Sequence, residues 1–258
     1  MDLRLDNRHA LVCGASQGIG LATARELAGL GARVTVLARR ADRLAEVAAG
    51  LPGEGHGWIA ADTSDTAALA AAAAEVAARR PVDILVNNSG GPPPGPLHEA
   101  DPPALEAAMR QHVVACQVLV QALLPGMREG GHGRIVNIIS TSVKEPIAGL
   151  GVSNTARWAV AAWAKTLAGE LGPHGITVNN VLPGFTDTPR IEQIIRSGAE
   201  RSGRSEQAVF EEMVANVPLR RFARPEETAA AVAFLCSPAA AYITGVNLPV
   251  DGGRTRSL

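Results

Sequence analysis

Short, continuously apolar runs alternate with helix-length segments along almost the whole chain, and this alternation constrains the fold more than any single residue does. The runs at 9–13, 33–38, 57–61, 83–87, 134–139, 176–182 and 246–250 read as strands. The segments at 19–30, 41–49, 66–79, 103–128 and 155–171 read as helices, the fourth as one long helix. Pro92, Pro93, Pro94 and Pro96 forbid regular structure just before that long helix. Strands joined by helices of this length pair in parallel through right-handed crossovers. Their uninterrupted apolarity belongs to a sheet covered on both faces. The expectation is an α/β fold of three layers. No change of composition marks a second domain, so residues 1–258 are read as one domain. The one insertion-like segment, 190–218, is polar and charged but carries Ile191, Ile194, Ile195, Phe210 and Met213 as anchors. It is expected to form a small helical lid over a ligand cleft.

Composition narrows the partners. Hydrophobic residues make up 47% and charged residues 19% of the chain, which permits a large core and excludes wholesale disorder. Lys and Arg number 24 against 25 Asp and Glu, so there is no electrostatic footprint for nucleic acid or anionic lipid. Cys13, Cys116 and Cys236 lie far apart in apolar runs, with no Cys-x-x-Cys and no His at ligand spacing. Neither a metal site nor a disulfide framework is expected, and an odd set of buried thiols fits a reducing, cytoplasmic setting. No charged-then-apolar leader opens the chain. No stretch approaches the roughly 18 uncharged apolar residues of a membrane span, so no membrane partner is expected.

Gly14, Gly18 and Gly20 form Gly-x-x-x-Gly-x-Gly between the first strand and the first helix. Glycine there lets the backbone turn tightly and lets a pyrophosphate lie on free N–H groups at the helix N-terminus. A plain tight turn is the competing reading, and the strand-to-helix position favours a nucleotide. Arg39 and Arg40 follow the second strand directly, at the tip where such folds meet the adenosine ribose. A carboxylate at that tip would accept from a 2′-hydroxyl, whereas two guanidiniums suit a 2′-phosphate. NADP is therefore preferred over NAD, the alternative being that both arginines simply start a solvated helix with Asp42.

The chain resembles the short-chain dehydrogenase/reductase family over nearly its whole length. The resemblance rests on Gly14-Ala-Ser-Gln-Gly-Ile-Gly20, Asn87-Asn88-Ser89-Gly90, the Ser140 region, Pro183-Gly184, Tyr242-Ile-Thr-Gly245 and Asp251-Gly-Gly253, in that order. It implies a single-domain Rossmann-type fold with a seven-stranded parallel sheet, a nicotinamide cofactor, a small-molecule substrate and a homodimer or homotetramer. By the same resemblance Ser16, Gln17 and Ile19 join the glycines around the cofactor, and Asp62 meets the adenine. Asn88, Ser89 and Gly90 lie on the adenosine ribose side, while Pro183, Gly184 and Thr188 hold the nicotinamide carboxamide. Cys13 stands where the family has Thr.

The family's catalytic pattern is broken. A Ser closing the fifth strand is present as Ser140, but the positions of the family's Tyr and Lys hold Ser153 and Arg157. The supporting Asn of the preceding helix is replaced by His112. The chain has one tyrosine, Tyr242, which belongs to the C-terminal motif, and its only lysines are Lys144 and Lys165. Lys165 is more than two helical turns past Arg157. Lys144 lies in the loop after the fifth strand and reads as solvated or substrate-facing. A serine hydroxyl does not titrate near neutrality, and a guanidinium keeps its proton. Arg157 is read as holding ribose hydroxyls. His112 is the one replacement expected to titrate near neutrality, either relaying a proton through water or packing as a structural residue. The Ser-to-Arg spacing is similar to that of the halohydrin dehalogenase branch, which has lost the glycine turn kept here. The chain looks like the reductase-like members, related to 3-oxoacyl carrier-protein reductase, that lack the Tyr. Two readings stand: an atypical NADP-dependent oxidoreductase for a small carbonyl or alcohol, or a weak or inactive NADP-binding protein serving as sensor or partner subunit.

Overall fold

The computed structural model describes residues 1–257. Seven strands form one sheet in the order β3-β2-β1-β4-β5-β6-β7: β1 His9–Cys13, β2 Arg33–Ala38, β3 Gly57–Ala60, β4 Ile84–Asn87, β5 Gly133–Ile138, β6 Ile176–Pro183 and β7 Asn247–Val250. Every neighbouring pair is parallel. Alternate residues of the buried strands serve opposite faces, as the pleat requires. Ala10, Val12, Val34, Val36 and Val136 pack with α1 (Gly18–Gly29), α2 (Ala41–Ala49) and α9 (Pro225–Cys236). Leu11, Cys13, Leu37, Leu85 and Ile135 pack with α3 (Thr66–Arg79), α5 (Ala115–Glu129) and α6 (Gly151–Leu171). The three-layer α/β architecture expected from the alternation is present. All three cysteines are free and buried.

Two local expectations fail. The segment read as one long helix is α4 (Pro102–Met109), a π-helical turn Arg110–Val114 and α5. The extra residue of a π turn is invisible to a 3.6-residue periodicity, and such turns concentrate at functional sites. Taken together, Pro102–Glu129 is also long and apolar enough to match a membrane span by length and composition, which the sequence reading did not anticipate. Its apolarity is used inside the protein, where Leu119, Val120, Leu123 and Met127 are buried against the sheet. Helix α6 starts at Gly151, four residues before the expected 155, which brings Ser153 into its first turn. Residues 190–218 hold two helices, α7 (Pro189–Ser202) and α8 (Glu206–Ala215), the second capped by Ser205 Oγ accepting from Ala208 N at 3.2 Å.

The second half of the sheet is pinned by a ladder of asparagines. Asn87, Asn137, Asn180 and Asn247 stand in register on β4, β5, β6 and β7. Each amide Nδ2 donates to the next Oδ1 at 2.8 Å, from Asn87 to Asn137 to Asn180 to Asn247. A one-residue slip of β5 or β6 would break two rungs and a slip of β4 or β7 one, so the ladder adds to the register set by the apolar faces. Asn137→Ala strands a buried donor and a buried acceptor at once. We expect it to lower the unfolding free energy by about 1–3 kcal/mol in urea titration, and a value near zero would show that the ladder contributes nothing.

Candidate active site

The carboxyl ends of β1 to β6 face one edge of the sheet, on either side of the β1–β4 junction where the strand order reverses. A cleft of about 950 Å³ runs along that edge. The turn after β1 lines it through Gly14, Ser16, Gln17, Gly18 and Ile19. Gly14 adopts φ +60°, and a Cβ on it would fall 2.7 Å from Asn88. Gly20 does not line the cleft. Its role is packing, since a Cβ there would overlap Gly14 O where α1 closes against the turn. Asn88 braces that turn from β4, its Nδ2 donating to Cys13 O at 3.4 Å and to Gly14 O at 3.3 Å.

At the tip of β2 the structure brings together more positive charge than the dipeptide announced. Arg39, Arg40 and Arg43 all line the cleft. Arg40 is turned toward Asp42 at 2.8 Å, and Arg43 Nε donates to Ser16 O at 3.4 Å. The sequence reading missed Arg43, although its spacing of four from Arg39 at the start of α2 was the available signal. Asp62, after β3, lines the cleft beside them. Its Oδ1 accepts from Ser64 N at 2.9 Å and Ser64 Oγ at 2.8 Å. These two bonds, with the nearby Arg39 charge, hold its carboxyl below the usual range.

Ser140, Ser153, Arg157, Pro183, Gly184 and Thr188 line the other half. Ser140 Oγ accepts from Ser142 N at 3.0 Å, which leaves its own hydroxyl hydrogen to donate. Ser153 Oγ has no hydrogen-bond partner among the described residues. Thr188, at the start of α7, packs close to Gly18, its Cγ2 lying 3.2 Å from where a Cβ on that glycine would stand. Lys144 does not line the cleft, and Lys165 donates to Gly245 O at 3.1 Å, on the sheet's far side strand loop.

Two of the replaced residues are engaged inside the protein. Arg157, expected to hold ribose hydroxyls, borders the cleft but is buried, with Nη1 donating to Ile138 O at 3.1 Å and Nη2 to Ser89 O at 3.2 Å. Burial, reinforced by the charge of Arg190, pulls its pKa down to about 10, so it remains a cation at neutral pH. His112 was expected to titrate near neutrality. It is 1% exposed and absent from the cleft wall. The π turn sets it behind Ser89, whose Oγ lies 2.7 Å from His112 Nδ1. Burial first, and then the Arg157 and Arg190 charges, push its pKa down to about 2, so it stays a neutral imidazole with a single N–H near neutral pH. Ser89 correspondingly turns its hydroxyl away from the cleft and leaves its backbone there. The remaining walls include Gln111, Arg190 and the apolar residues Ile147, Leu150, Ile191, Ile194, Val209 and Met213; sequence reading had assigned Ile191, Ile194 and Met213 to the lid and the loop of residues 144–152 to the pocket, and it missed Gln111 and Val209.

The His112 environment has a consequence for acid stability. The folded state refuses a proton that the unfolded imidazole takes up near pH 6.5. The penalty is absent above that pH and grows as the pH falls toward about 2. Urea titrations of His112→Asn should show stability falling less steeply between pH 6 and pH 4, by up to about 1.4 kcal/mol per pH unit. An unchanged slope would mean that the imidazole is not held neutral.

With this geometry in view, relatives are informative. A family model described as enoyl-(acyl carrier protein) reductase matches residues 14–255. The short-chain reductase protein NovJ of Streptomyces niveus is 36% identical over 253 residues, which cover 95% of this chain and 93% of that protein. The NADPH-dependent reductase BacG of Bacillus subtilis (strain 168) is 31% identical over 260 residues, covering 98% of this chain and 100% of that one. The crystal structure of L-sorbose reductase from Gluconobacter frateurii, complexed with NADPH and L-sorbose, superposes with a TM-score of 0.91 at 31% identity, with full coverage of both chains (100% and 100%). A glycine turn at the sheet's crossover point, a cleft along the strand ends and this breadth of similarity have one source: the chain belongs to the short-chain dehydrogenase/reductase family of oxidoreductases.

Proposed function

We propose that this protein is an NADP-dependent oxidoreductase that acts on a small carbonyl or alcohol through a non-standard active site, in a divergent branch of the family that lacks the Tyr. The observation that carries the cofactor assignment is the guanidinium cluster of Arg39, Arg40 and Arg43 at the tip of β2, beside a glycine turn too tight for any Cβ at Gly14 or Gly20. These residues fit a 2′-phosphorylated dinucleotide: the arginines suit the phosphate, Asp62 the adenine, the turn the pyrophosphate, and Pro183, Gly184 and Thr188 the nicotinamide amide. Bound there, the nicotinamide supplies or accepts hydride. The NADPH dependence of BacG and the NADPH in the sorbose reductase structure support the same reading.

At the reacting end Ser140 and Ser153 present hydroxyls that donate hydrogen bonds to a substrate oxygen. Ser153 stands in the first turn of the 21-residue helix α6, whose N-terminal N–H groups favour developing negative charge. Neither serine delivers a proton at neutral pH, so the proton comes from water. Replacing a positioned general acid in this way sacrifices a factor of about 10²–10⁴ in rate but leaves positioning intact. Helices α7 and α8 serve as a lid over the site. The free buried thiols fit a reducing cytoplasm. A second copy of the chain covers the exposed Val114 and Trp158 (43% and 49% exposed), giving a homodimer or homotetramer.

A second reading, a weak or inactive NADP-binding protein acting as sensor or partner subunit, is favoured by one observation. Arg157 is committed to two backbone carbonyls, so no cation equivalent to the family's Lys is offered to the ribose. Two experiments discriminate. Arg39→Asp should weaken NADPH binding by about tenfold or more while sparing NADH, as read by cofactor fluorescence; equal loss of both would remove the phosphate-binding role. Ser153→Tyr, which leaves the Arg157 fork in place, should raise kcat for NADPH-driven carbonyl reduction by at least about tenfold. A variant that still binds NADPH but turns over nothing would favour the sensor reading.

A further inference from the structure

The substrate half of the cleft is lined by charge of one sign. Apart from the sealed Arg157, its ionisable side chains are Arg190 and Arg201, at opposite ends of the same face of α7, and no Asp or Glu lines that half. Asp62, the only carboxylate lining the cleft among the described residues, sits with Arg39 at the far end. Between Arg190 and Arg201 the helix rises about 16 Å, and the cleft wall along that interval is apolar or small apart from Gln193 beside Arg190: Ile191, Ile194 and Gly198 from α7, with Val209 and Met213 from α8 and Ile147 and Leu150 opposite.

The two arginines are not equivalent. Arg190 is half-buried and latched across the cleft, its Nη2 donating to Pro92 O at 2.7 Å. Arg201 is exposed, and its guanidinium lies over Gly149, with Nη2 2.9 Å from where a Cβ on that glycine would stand. Its one hydrogen bond goes to Ser197 Oγ, at 2.8 Å from Nη1. Of the carboxylates on α7 and α8, Glu206 pairs with Arg196 at 3.9 Å and Glu212 with Arg204, and none pairs with Arg201 among the described residues. Arg201 therefore ends an apolar channel with a planar pair of donors and no carboxylate partner among the described residues. A guanidinium so placed matches a carboxylate or phosphate in fork geometry, and an entering ligand strengthens the pair by expelling water.

From this we infer that Arg201 is a specificity-determining residue, and that the substrate is an oxo compound, or the corresponding alcohol, with an apolar middle and an anionic group at the end remote from the reacting carbon. The inference rests on the proposed oxidoreductase reading for the position of the reacting carbon. The anion is either a carboxylate of the substrate itself or a phosphate on a carrier attached to it, and both share the fork-binding chemistry.

Straight-chain 5-oxo and 7-oxo acids of about eight to ten carbons, their methyl esters, and the matching ω-phosphorylated ketones distinguish these sources. Binding is measured by calorimetry on protein saturated with NADPH, and turnover separately by NADPH oxidation. The expected result is that at least one acid or phosphate binds about tenfold more tightly than its neutral counterpart. Arg201→Gln should erase that preference without changing the Kd of the neutral compound or of NADPH, and Arg201→Glu should reverse it. Preference for the acids assigns the carboxylate, and preference for the phosphates assigns the carrier. Equal binding of charged and neutral members, an equal loss of both in Arg201→Gln, or no binding by any member would overturn the inference. Because binding is read apart from turnover, anion-selective binding without NADPH oxidation would leave the Arg201 assignment standing and count against the oxidoreductase reading alone.

Discussion

A buried guanidinium holds the centre of this site. Arg157 reaches from α6 to the carbonyl of Ile138 at the end of β5 and to that of Ser89 in the loop after β4. A cation removed from water needs its donors satisfied, and two main-chain oxygens do that while tying two strand ends to one helix. The arrangement propagates. With Ser89 held by its carbonyl, its hydroxyl is left to His112, and the π turn at Arg110–Val114 supplies that partner. The Asn ladder fixes the same strands from within the sheet, and its first member, Asn87, ends in a buried Oδ1 without a partner. His112 Nε2 is likewise buried and unpaired, and both line a small cavity of about 20 Å³ beside Arg157. That is room for about one water molecule.

The same residue links positions 157 and 112. A Lys at this position would present a single compact ammonium with no fork to span both carbonyls. Arg at 157 and His at 112 therefore belong to one structural solution, with the repulsion between their charged forms settled by keeping the imidazole neutral. What remains open to a substrate is hydroxylic and cationic: Ser140, Ser153, Arg190 and Arg201. Such a site stabilises negative charge without storing a transferable proton near pH 7. Chemistry there depends on placing a substrate correctly, which is the contribution of the cleft's shape and of its charge at the far end.

Much of this was legible in the chain. Continuous apolarity marked every strand within a few residues, because a strand buried on both faces admits no polar alternation. The glycine turn was legible because only residues without a Cβ fit where α1 closes on β1. Ser140, Ser153 and Arg157 were located through the resemblance to the family, whose catalytic positions they occupy in the sequence. The misses share a cause. A π turn changes the register by one residue without altering composition, so the long helix looked unbroken, and His112 stays open between a proton relay and a structural residue until its contact with Ser89 is known. Arg43 and Arg201 are not singled out by the sequence, because their direction depends on how α2 and α7 sit against the cleft. The ladder was hidden because Asn87, Asn137, Asn180 and Asn247 are distant in sequence and become neighbours only through strand order.

By itself the sequence determined the layers, the direction of the strands, the edge at which a nucleotide would lie and the presence of Ser and Arg at positions 153 and 157. These follow from periodicity and from which residue types are present, and both are local properties. Only the tertiary structure decided what the replacements do. Whether Arg157 faces a ligand or a carbonyl, whether His112 meets water or a serine, and whether Arg201 ends a channel or a surface are set by neighbours brought from far along the chain. Burial and charge proximity, which govern protonation and recognition, come into being only when those segments pack together.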